Sequence, residues 1–190
     1  NTIRAGEKFI CRVEGHSMEP TLLPEDILVA ECCDGVSLHD GDLVVMRNSL
    51  PASQAGVEAP IVHRLLGKRL AHEKDGFILR TRGDNLLLCD ETTWTQDHCA
   101  GKVTCLLRRT ATGYQSVLMH ARMNRWHASL GRFEERLYLN LRSLKRRLIG
   151  SRAPALSCLI VRTVHGLTRK AHMRLHYMTA HSSRAKRGCR

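Results

Sequence analysis

The sequence predicts a mainly β body of short strands, followed by a basic helical hairpin in the C-terminal part of the chain. Before residue 118, apolar residues occur in short runs separated by turn residues, which is typical of an all-β fold. From Met119 onwards they recur at every third or fourth position, the period of a helix with one apolar face. The charge changes near the same point. Residues 1–107 contain 11 Lys or Arg and 16 Asp or Glu, a net charge of −5, whereas residues 108–190 contain 19 and 2, a net charge of +17.

Seven strands are predicted in the body from the apolar runs and the turn residues between them. The run at residues 43–46 is apolar throughout, which indicates a buried strand. Residues 48–60 include two prolines and a glycine, so we expect a surface loop there. The predicted strands span residues 9–13, 27–30, 43–46, 61–66, 77–81, 103–108 and 114–118.

Two apolar stripes predict two helices, which residues 150–154 separate. In one interpretation the helices form a hairpin that buries each stripe against the other or against the body. In a second, compatible interpretation a basic amphipathic helix lies on an anionic membrane surface, because arginines and lysines occupy the opposite face. The first stripe comprises Met119, Met123, Trp126, Leu130, Phe133, Leu137, Leu141, Leu144 and Leu148, and the second Leu156, Ile160, Val164, Leu167, Ala171, Leu175 and Met178.

Residues 15–22 place a serine on a turn at the end of the first predicted strand. Gly15 permits a positive φ, while Pro20 fixes its own φ and favours an extended Glu19. We therefore expect a rigid loop that presents the hydroxyl of Ser17. Taken alone, a serine beside glycine and proline is ordinary turn chemistry.

Two later segments supply the groups that activate a serine. His63 lies in the predicted strand 61–66, and Asp84 and Asp90 follow the predicted strand 77–81. A hydroxyl, an imidazole and a carboxylate form an activated nucleophile, because the base takes the serine proton and the carboxylate orients the base. A lone histidine would be assigned to the core and a lone Gly-Asp-Asn to a turn, but the segments together favour catalysis.

These segments resemble the signal peptidase I family and the related LexA-like peptidases. Four short motifs match in the same order, and the likeness spans residues 9–107. The family uses either lysine or histidine as its general base, and His63 stands at that position, so the chain resembles the Ser-His-Asp version. The matched motifs are Ser17-Met18-Glu19-Pro20-Thr21-Leu22, Gly41-Asp42-Leu43-Val44-Val45, Val62-His63-Arg64, and Gly83-Asp84-Asn85 with Asp90 shortly after it.

The resemblance implies a signal-peptidase or LexA-like catalytic β body and, with the change of period, three parts of the chain. Residues 1–117 are expected to form a serine peptidase β domain. Residues 118–181 are expected to form the basic amphipathic helical hairpin. Residues 182–190 are expected to be a disordered basic tail.

The resemblance also implies roles for the site residues. Ser17 would be the nucleophile and His63 the general base. Either Asp84 or Asp90 could hold the second ring nitrogen of His63. We favour Asp90 in that role, with Asp84 shaping the pocket through its turn, and we count both among the catalytic residues.

The oxyanion site departs from the family pattern. Many members carry a small hydroxyl residue two positions before the nucleophile, where this chain has Gly15. The backbone N–H of Ser17 would then be the main donor to the oxyanion, with His16 as a conjectured second donor. Gly15, His16 and Met18 form the predicted substrate- and oxyanion-binding set.

The resemblance favours a serine endopeptidase that cleaves signal or leader peptides, with a preference for small side chains before the cut. One alternative is a LexA-like regulator that cleaves itself. Against it, no helix-turn-helix domain precedes Ser17, and the base is not lysine. A second alternative is a non-catalytic membrane- or nucleic-acid-binding protein with a degenerate peptidase body.

No cofactor and no metal are expected. The eight cysteines follow no zinc or redox spacing. Cys89, His98, Cys99 and Cys105 could gather around a metal, but buried free thiols are the favoured interpretation.

The expected partners are a peptide or preprotein substrate and, through the basic tail, an anionic membrane surface. Nucleic acid is disfavoured, because no motif that reads bases accompanies the charge. No apolar stretch is long enough to span a membrane. We expect a membrane-associated protein, either peripheral or anchored by a segment before Asn1, with a cytoplasmic location as the alternative.

Overall fold

The computed structural model describes residues 6–47, 60–71, 76–149 and 154–185. Eight strands form one antiparallel sheet curled into a half-barrel, and two long helices follow it. The strand order is β1-β2-β7-β3-β4-β5-β6, and β8 pairs with β7. The elements are β1 (Lys8–Arg12), β2 (Ile27–Glu31), β3 (Leu43–Met46), β4 (Ile61–Leu70), β5 (Phe77–Arg82), β6 (Trp94–Thr95), β7 (Cys99–Thr110), β8 (Gly113–Leu118), α1 (Ala121–Ile149) and α2 (Pro154–Ala185).

The mainly β body followed by helices is confirmed, and each of the seven predicted strands is present. The two-residue strand β6 was not predicted, because a single Trp-Thr pair has no detectable period. Helix α2 continues through residues 182–185, beyond the predicted end of the hairpin at residue 181. The predicted loop at 48–60 lies outside the described residues except for Pro60, and so does the end of the chain from residue 186.

Strand β3 holds the two hydrophobic clusters of the body together. All four of its residues are buried, as the continuous apolar run predicted. Successive side chains of a strand point to opposite faces, so Leu43 and Val45 enter one cluster while Val44 and Met46 enter the other. The first cluster also contains Met18 and Leu22, and the second contains Leu65, Leu79 and Trp94.

Helix α1 buries the face that its apolar pattern predicts only in part, since Met123, Leu130, Leu137 and Leu141 of that stripe are half-buried. Four residues of the predicted stripe are exposed, namely Trp126 at 58 %, Phe133 at 58 %, Leu144 at 51 % and Leu148 at 72 %. We call these four residues the outer stripe. The buried face is instead polar or small, and consists of Asn124, His127, Ala128, Gly131, Glu134 and Glu135. The expectation that the first stripe is buried is therefore wrong for the outer stripe.

The polar face of α1 is buried because it pairs with cations of the body. Arg82 at the end of β5 is 1 % exposed and donates to Glu134 at 2.8 Å. The neighbouring Glu135 forms an ion pair with Arg80. A buried charge without a partner costs roughly several kcal/mol. Because Glu134 and Glu135 supply the partners of Arg82 and Arg80, they determine which side of α1 meets the sheet.

Helix α2 packs on α1, and the second apolar stripe predicts only some of the residues that are buried in this contact. Val164 is buried, and Leu156, Ile160 and Ala171 are partly buried, but Leu167 is 64 % exposed. Thr168, also buried, donates a hydrogen bond to Glu134. Within the described residues, neither helix combines the length and the apolar character needed to cross a bilayer.

We expect Gly41→Ala to loosen the contact between α1 and the body. Gly41 has φ +96°, and a Cβ there would lie 2.4 Å from the carbonyl carbon of Asn124 in α1. Gly113 has φ +125° but no atom within 4 Å of its added Cβ, so Gly113→Ala is the control for backbone strain alone. Urea unfolding should show a loss of about 3 kcal/mol for Gly41→Ala and about 1 kcal/mol for Gly113→Ala. Equal losses would mean that α1 does not press on this turn.

Candidate active site

The loop between β1 and β2 carries Ser17 and is anchored by two core side chains. Met18 is 2 % exposed and Leu22 is fully buried, and the N–H of Leu22 donates to the carbonyl of Met18 at 3.0 Å. Gly15 does not use the positive φ that glycine permits, since the positive-φ glycines of the described residues are Gly6, Gly41 and Gly113. A Cβ at Gly15 would meet no atom within 4 Å, so the space beside this glycine is open.

His63 lies between the serine loop and Asp90, and contacts both. It lies in β4 and is 7 % exposed. Its Nε2 is 3.1 Å from Ser17 Oγ, and its Nδ1 is 2.8 Å from Asp90 Oδ2. The structure thus brings together a serine, a histidine and an aspartate whose sequence positions are far apart, and of the two candidate aspartates it is Asp90 that contacts His63.

Asp90 is held in its charged form by the groups around it. Burial alone would raise the pKa of Asp90, but hydrogen bonds from His63, Thr81 and Trp94 and the charge of His63 outweigh it and lower the pKa below its ordinary value. Thr81 Oγ1 donates at 2.5 Å and Trp94 Nε1 at 3.2 Å, both to Oδ2. An ionised carboxylate only accepts hydrogen bonds, so Nδ1 of His63 carries the hydrogen. In the neutral form of the imidazole, Nε2 is then the acceptor for the Ser17 hydroxyl.

Asp84 makes a different interaction from the one that a catalytic aspartate needs. It accepts from Arg64 Nε at 2.7 Å and from Arg64 Nη2 at 2.6 Å, and Thr21 Oγ1 donates to it at 2.5 Å. The side chains of Arg64 and Asp84 are 0 % and 2 % exposed. Of the two aspartates predicted as partners of His63, this geometry favours Asp90, because Asp84 pairs with Arg64, the residue after His63.

The turn at residues 83–85 packs directly on the serine loop. A Cβ at Gly83 would lie 2.5 Å from the carbonyl oxygen of Ser17, so no larger residue fits there without movement. The N–H of Asn85 donates to the same oxygen at 2.8 Å, and its Nδ2 donates to the carbonyl of His16 at 3.1 Å. These contacts fix the backbone on which Ser17 is carried.

The predicted oxyanion set is only partly suited to that role. The imidazole of His16 is 72 % exposed and lies 2.6 Å from Glu19, so its ring is engaged in a surface pair. The side chain of Met18 belongs to the core. The backbone N–H of Ser17 donates to no acceptor among the described residues, which leaves it available for an oxyanion.

A cavity of about 420 Å³ opens beside Ser17, between the end of β1 and the start of β4. Strand β1 is the last strand on its side of the sheet, so in the described part of the chain one of its edges is unpaired. An extended peptide can pair with such an edge while its side chains enter the cavity. The lining is largely apolar and includes Cys11, Val13, Gly15, Met18, Leu22, Ile61 and Val62.

Several residues that support the site were not identified from the sequence. Trp94 and Thr81 hold Asp90, and Arg64 holds Asp84. The hairpin also reaches the site, since His165 in α2 lies 3.1 Å from Asn85 Oδ1, and Cys89 N–H donates to Glu135 at 3.3 Å. The contacts of the hairpin with the body could have been predicted, because Glu134 and Glu135 are the only acidic residues after residue 107 and buried acidic residues need cationic partners.

The cysteines and histidines form no metal centre in the described residues, where no three His, Cys, Asp or Glu side chains converge on one point. The seven described cysteines are free thiols. A hydrogen bond with Cys99 lowers the pKa of Cys33 to about 7, whereas burial, with Glu135, raises the pKa of Cys89 to about 11.

We expect Asp84→Asn to destabilise the fold, because it leaves the buried Arg64 without its counter-ion. Breaking one partner of a buried pair costs about 3–5 kcal/mol. The matched control is Asp40→Asn, since Asp40 pairs with Arg132 at 2.9 Å but is 45 % exposed; that change should cost less than about 1 kcal/mol. Denaturant unfolding of both variants measures the difference. An Asp84→Asn variant as stable as Asp40→Asn would contradict the supporting role of Asp84.

Comparisons with models of protein families, with curated proteins and with solved structures gave no match to this chain. The resemblance to signal peptidase I therefore rests on the short motifs alone, and the proposed function rests on the geometry of Ser17, His63 and Asp90.

Proposed function

We propose that this protein is a serine endopeptidase resembling signal peptidase I, with Ser17 as nucleophile, His63 as general base and Asp90 as the orienting carboxylate. The observation that carries the proposal is the continuous hydrogen-bond chain from Ser17 Oγ to His63 Nε2, 3.1 Å, and from His63 Nδ1 to Asp90, 2.8 Å. A serine hydroxyl at hydrogen-bond distance from an imidazole that a carboxylate orients is the arrangement that nucleophilic catalysis requires.

In the first half of the reaction, Ser17 Oγ attacks the carbonyl carbon of the scissile peptide bond as His63 Nε2 takes its proton. Asp90 stabilises the imidazolium that forms, because its lowered pKa keeps it ionised. The oxyanion accepts a hydrogen bond from the Ser17 N–H. His63 then gives its proton to the leaving amine, the C–N bond breaks, and an acyl-enzyme remains on Ser17.

In the second half, water replaces the amine. His63 takes a proton from the water, which attacks the acyl carbon, and the proton returns to Ser17 Oγ as the C–O bond breaks. The carboxylic acid product leaves and the site is restored. One backbone donor to the oxyanion is fewer than many acyl-transfer enzymes use, and a missing donor lowers the rate by about 10²-fold or more. We therefore expect a slow enzyme unless the substrate or a further group adds a donor.

The proposed substrate is a signal or leader peptide bound in extended form. The unpaired edge of β1 provides backbone partners, and the cavity beside Ser17 takes the side chains that precede the cut. Val13, Ile61 and Val62 make most of its wall apolar, although Arg12 and Glu14 also line it, and this favours apolar side chains. The preference for small ones is what the resemblance implies.

Cleavage of a leader-type peptide by the purified protein is the direct test. Ser17→Ala and His63→Ala should each lower kcat/KM by about 10⁴-fold or more, since each removes a group that acts only with the other. Ser116→Ala, at an exposed serine of β8, is the control and should retain full activity. Circular dichroism checks that each variant is folded.

The outcome distinguishes the alternatives raised by the sequence. Cutting of an added peptide supports a peptidase that acts in trans, whereas cutting confined to the chain itself would support a self-cleaving regulator. Substantial peptide cleavage by folded Ser17→Ala would reject the proposed nucleophile.

A further inference from the structure

Helix α1 has an exposed apolar surface that the proposed peptidase mechanism does not use. The outer stripe, Trp126, Phe133, Leu144 and Leu148, lies on one side of the helix, because the spacings of seven, eleven and four residues are close to whole turns. All four side chains are more than half exposed. A water-facing row of this kind marks an interaction surface.

Arginines border the outer stripe along the helix. Arg122 lies one turn before Trp126, Arg136 one turn after Phe133, and Arg147 one turn after Leu144, and all three are exposed. The hairpin itself supplies no carboxylate to offset them on this side, because its two acidic residues, Glu134 and Glu135, are buried against the body at 1 % and 6 % exposure. The outer side of α1 is thus apolar and cationic at once.

We propose that this face of α1 lies in the interface of an anionic lipid membrane, with the outer stripe at the boundary of the acyl chains and Arg122, Arg136 and Arg147 on lipid phosphates. A helix with aromatic and aliphatic residues on one side and arginines beside them is the form that binds parallel to a bilayer surface. Each arginine near an anionic surface adds to the attraction, and salt reduces that gain.

The composition of the face favours lipid over other partners. A second copy of this chain would bring the same arginines against these, and like charges repel. A nucleic acid would satisfy the arginines and could stack on Trp126 and Phe133, but it would leave Leu144 and Leu148 without an apolar partner. An anionic lipid surface, with charged groups above an apolar interior, meets both parts of the face.

Helix α2, which packs on α1, contacts the turn at residues 83–85 and the serine loop, so a membrane-bound α1 would hold the site near the bilayer. His165 lies 3.1 Å from Asn85, and Arg169 Nη2 lies 3.7 Å from Glu19 Oε2. This consequence rests on the proposed peptidase function, whereas lipid binding itself does not.

Tryptophan fluorescence tests the contact directly, because the two tryptophans differ in exposure. Trp94 is 2 % exposed and Trp126 is 58 % exposed, so a shift on binding reports Trp126. Vesicles of phosphatidylglycerol and phosphatidylcholine should move the emission to shorter wavelength. Phosphatidylcholine vesicles alone should produce no shift at the same lipid concentration, and about 0.5 M salt should reverse the shift. Trp126→Phe should lose the shift yet still sediment with anionic vesicles.

Vesicle co-sedimentation of full-length variants measures separately how much the apolar residues and the arginines of this face contribute to binding. Phe133→Ser with Leu144→Ser should weaken binding about tenfold or more. Arg122→Gln with Arg136→Gln and Arg147→Gln should weaken it about 100-fold, or about fivefold for each charge. The control is Val36→Ser with Leu70→Ser, which changes two apolar residues of the body that are 69 % and 71 % exposed. It should bind within about twofold of the parent.

Three results would overturn the proposal. One is the absence of any shift or sedimentation with anionic vesicles. Another is a blue shift that grows with protein concentration in the absence of lipid, which would assign the stripe to self-association. The third is tight oligonucleotide binding that the arginine variant loses, together with no vesicle binding. None of these results depends on peptidase activity, so they leave the proposed catalytic function to its own test.

Discussion

The buried ion pair between Arg64 and Asp84 determines how the segments of the site meet. Arg64 donates two hydrogen bonds to Asp84, and it also donates to the carbonyl of Gly41 at 2.9 Å and to Asn124 Oδ1 at 3.4 Å. Asp84 accepts a further bond from Thr21 in the serine loop. One pair therefore joins the strand of His63, the turn that packs on Ser17, the serine loop and α1. Because both charges are out of water, the strand of His63 and the turn at residues 83–85 cannot separate without leaving a charge unpaired, and the serine loop and α1 cannot shift without losing a hydrogen bond to that pair.

The same electrostatic requirement explains the orientation of α1. Arg82 is buried at the end of β5, and an unpaired guanidinium there would cost several kcal/mol, roughly, whereas leaving one leucine half exposed forgoes about 1 kcal/mol. Glu134 and Glu135 consequently face the sheet, and the outer stripe faces the solvent. The helix that completes the body is thereby left with an apolar and cationic exterior, so that its attachment to the site and its proposed attachment to lipid use opposite sides.

Much of the fold and the central site could be predicted from local patterns. Apolar runs and the turn residues between them predicted the seven strands. The ordered motifs, with the resemblance they carry, predicted that Ser17 and His63 meet and favoured Asp90 as the third member. The sequence did not distinguish Asp84 from Asp90, because the choice depends on the path of residues 83–90 between Arg64 and His63. The face of α1 was also predicted only in part, because hydrophobic periodicity ignores the buried cations of a partner surface. The only feature of the sequence that could have indicated the buried face of α1 was the presence of two acidic residues, Glu134 and Glu135, in a strongly basic segment.

If the fold makes Ser17 unusually nucleophilic, the native protein should react there with a fluorophosphonate, and peptide mass spectrometry locates the adduct. We expect a single adduct on Ser17 that forms in the folded protein, is lost in urea, and is strongly reduced in His63→Ala, because the hydroxyl reacts only when the imidazole accepts its proton. No adduct on Ser17, or equal labelling of folded and unfolded protein, would contradict the proposed role of Ser17.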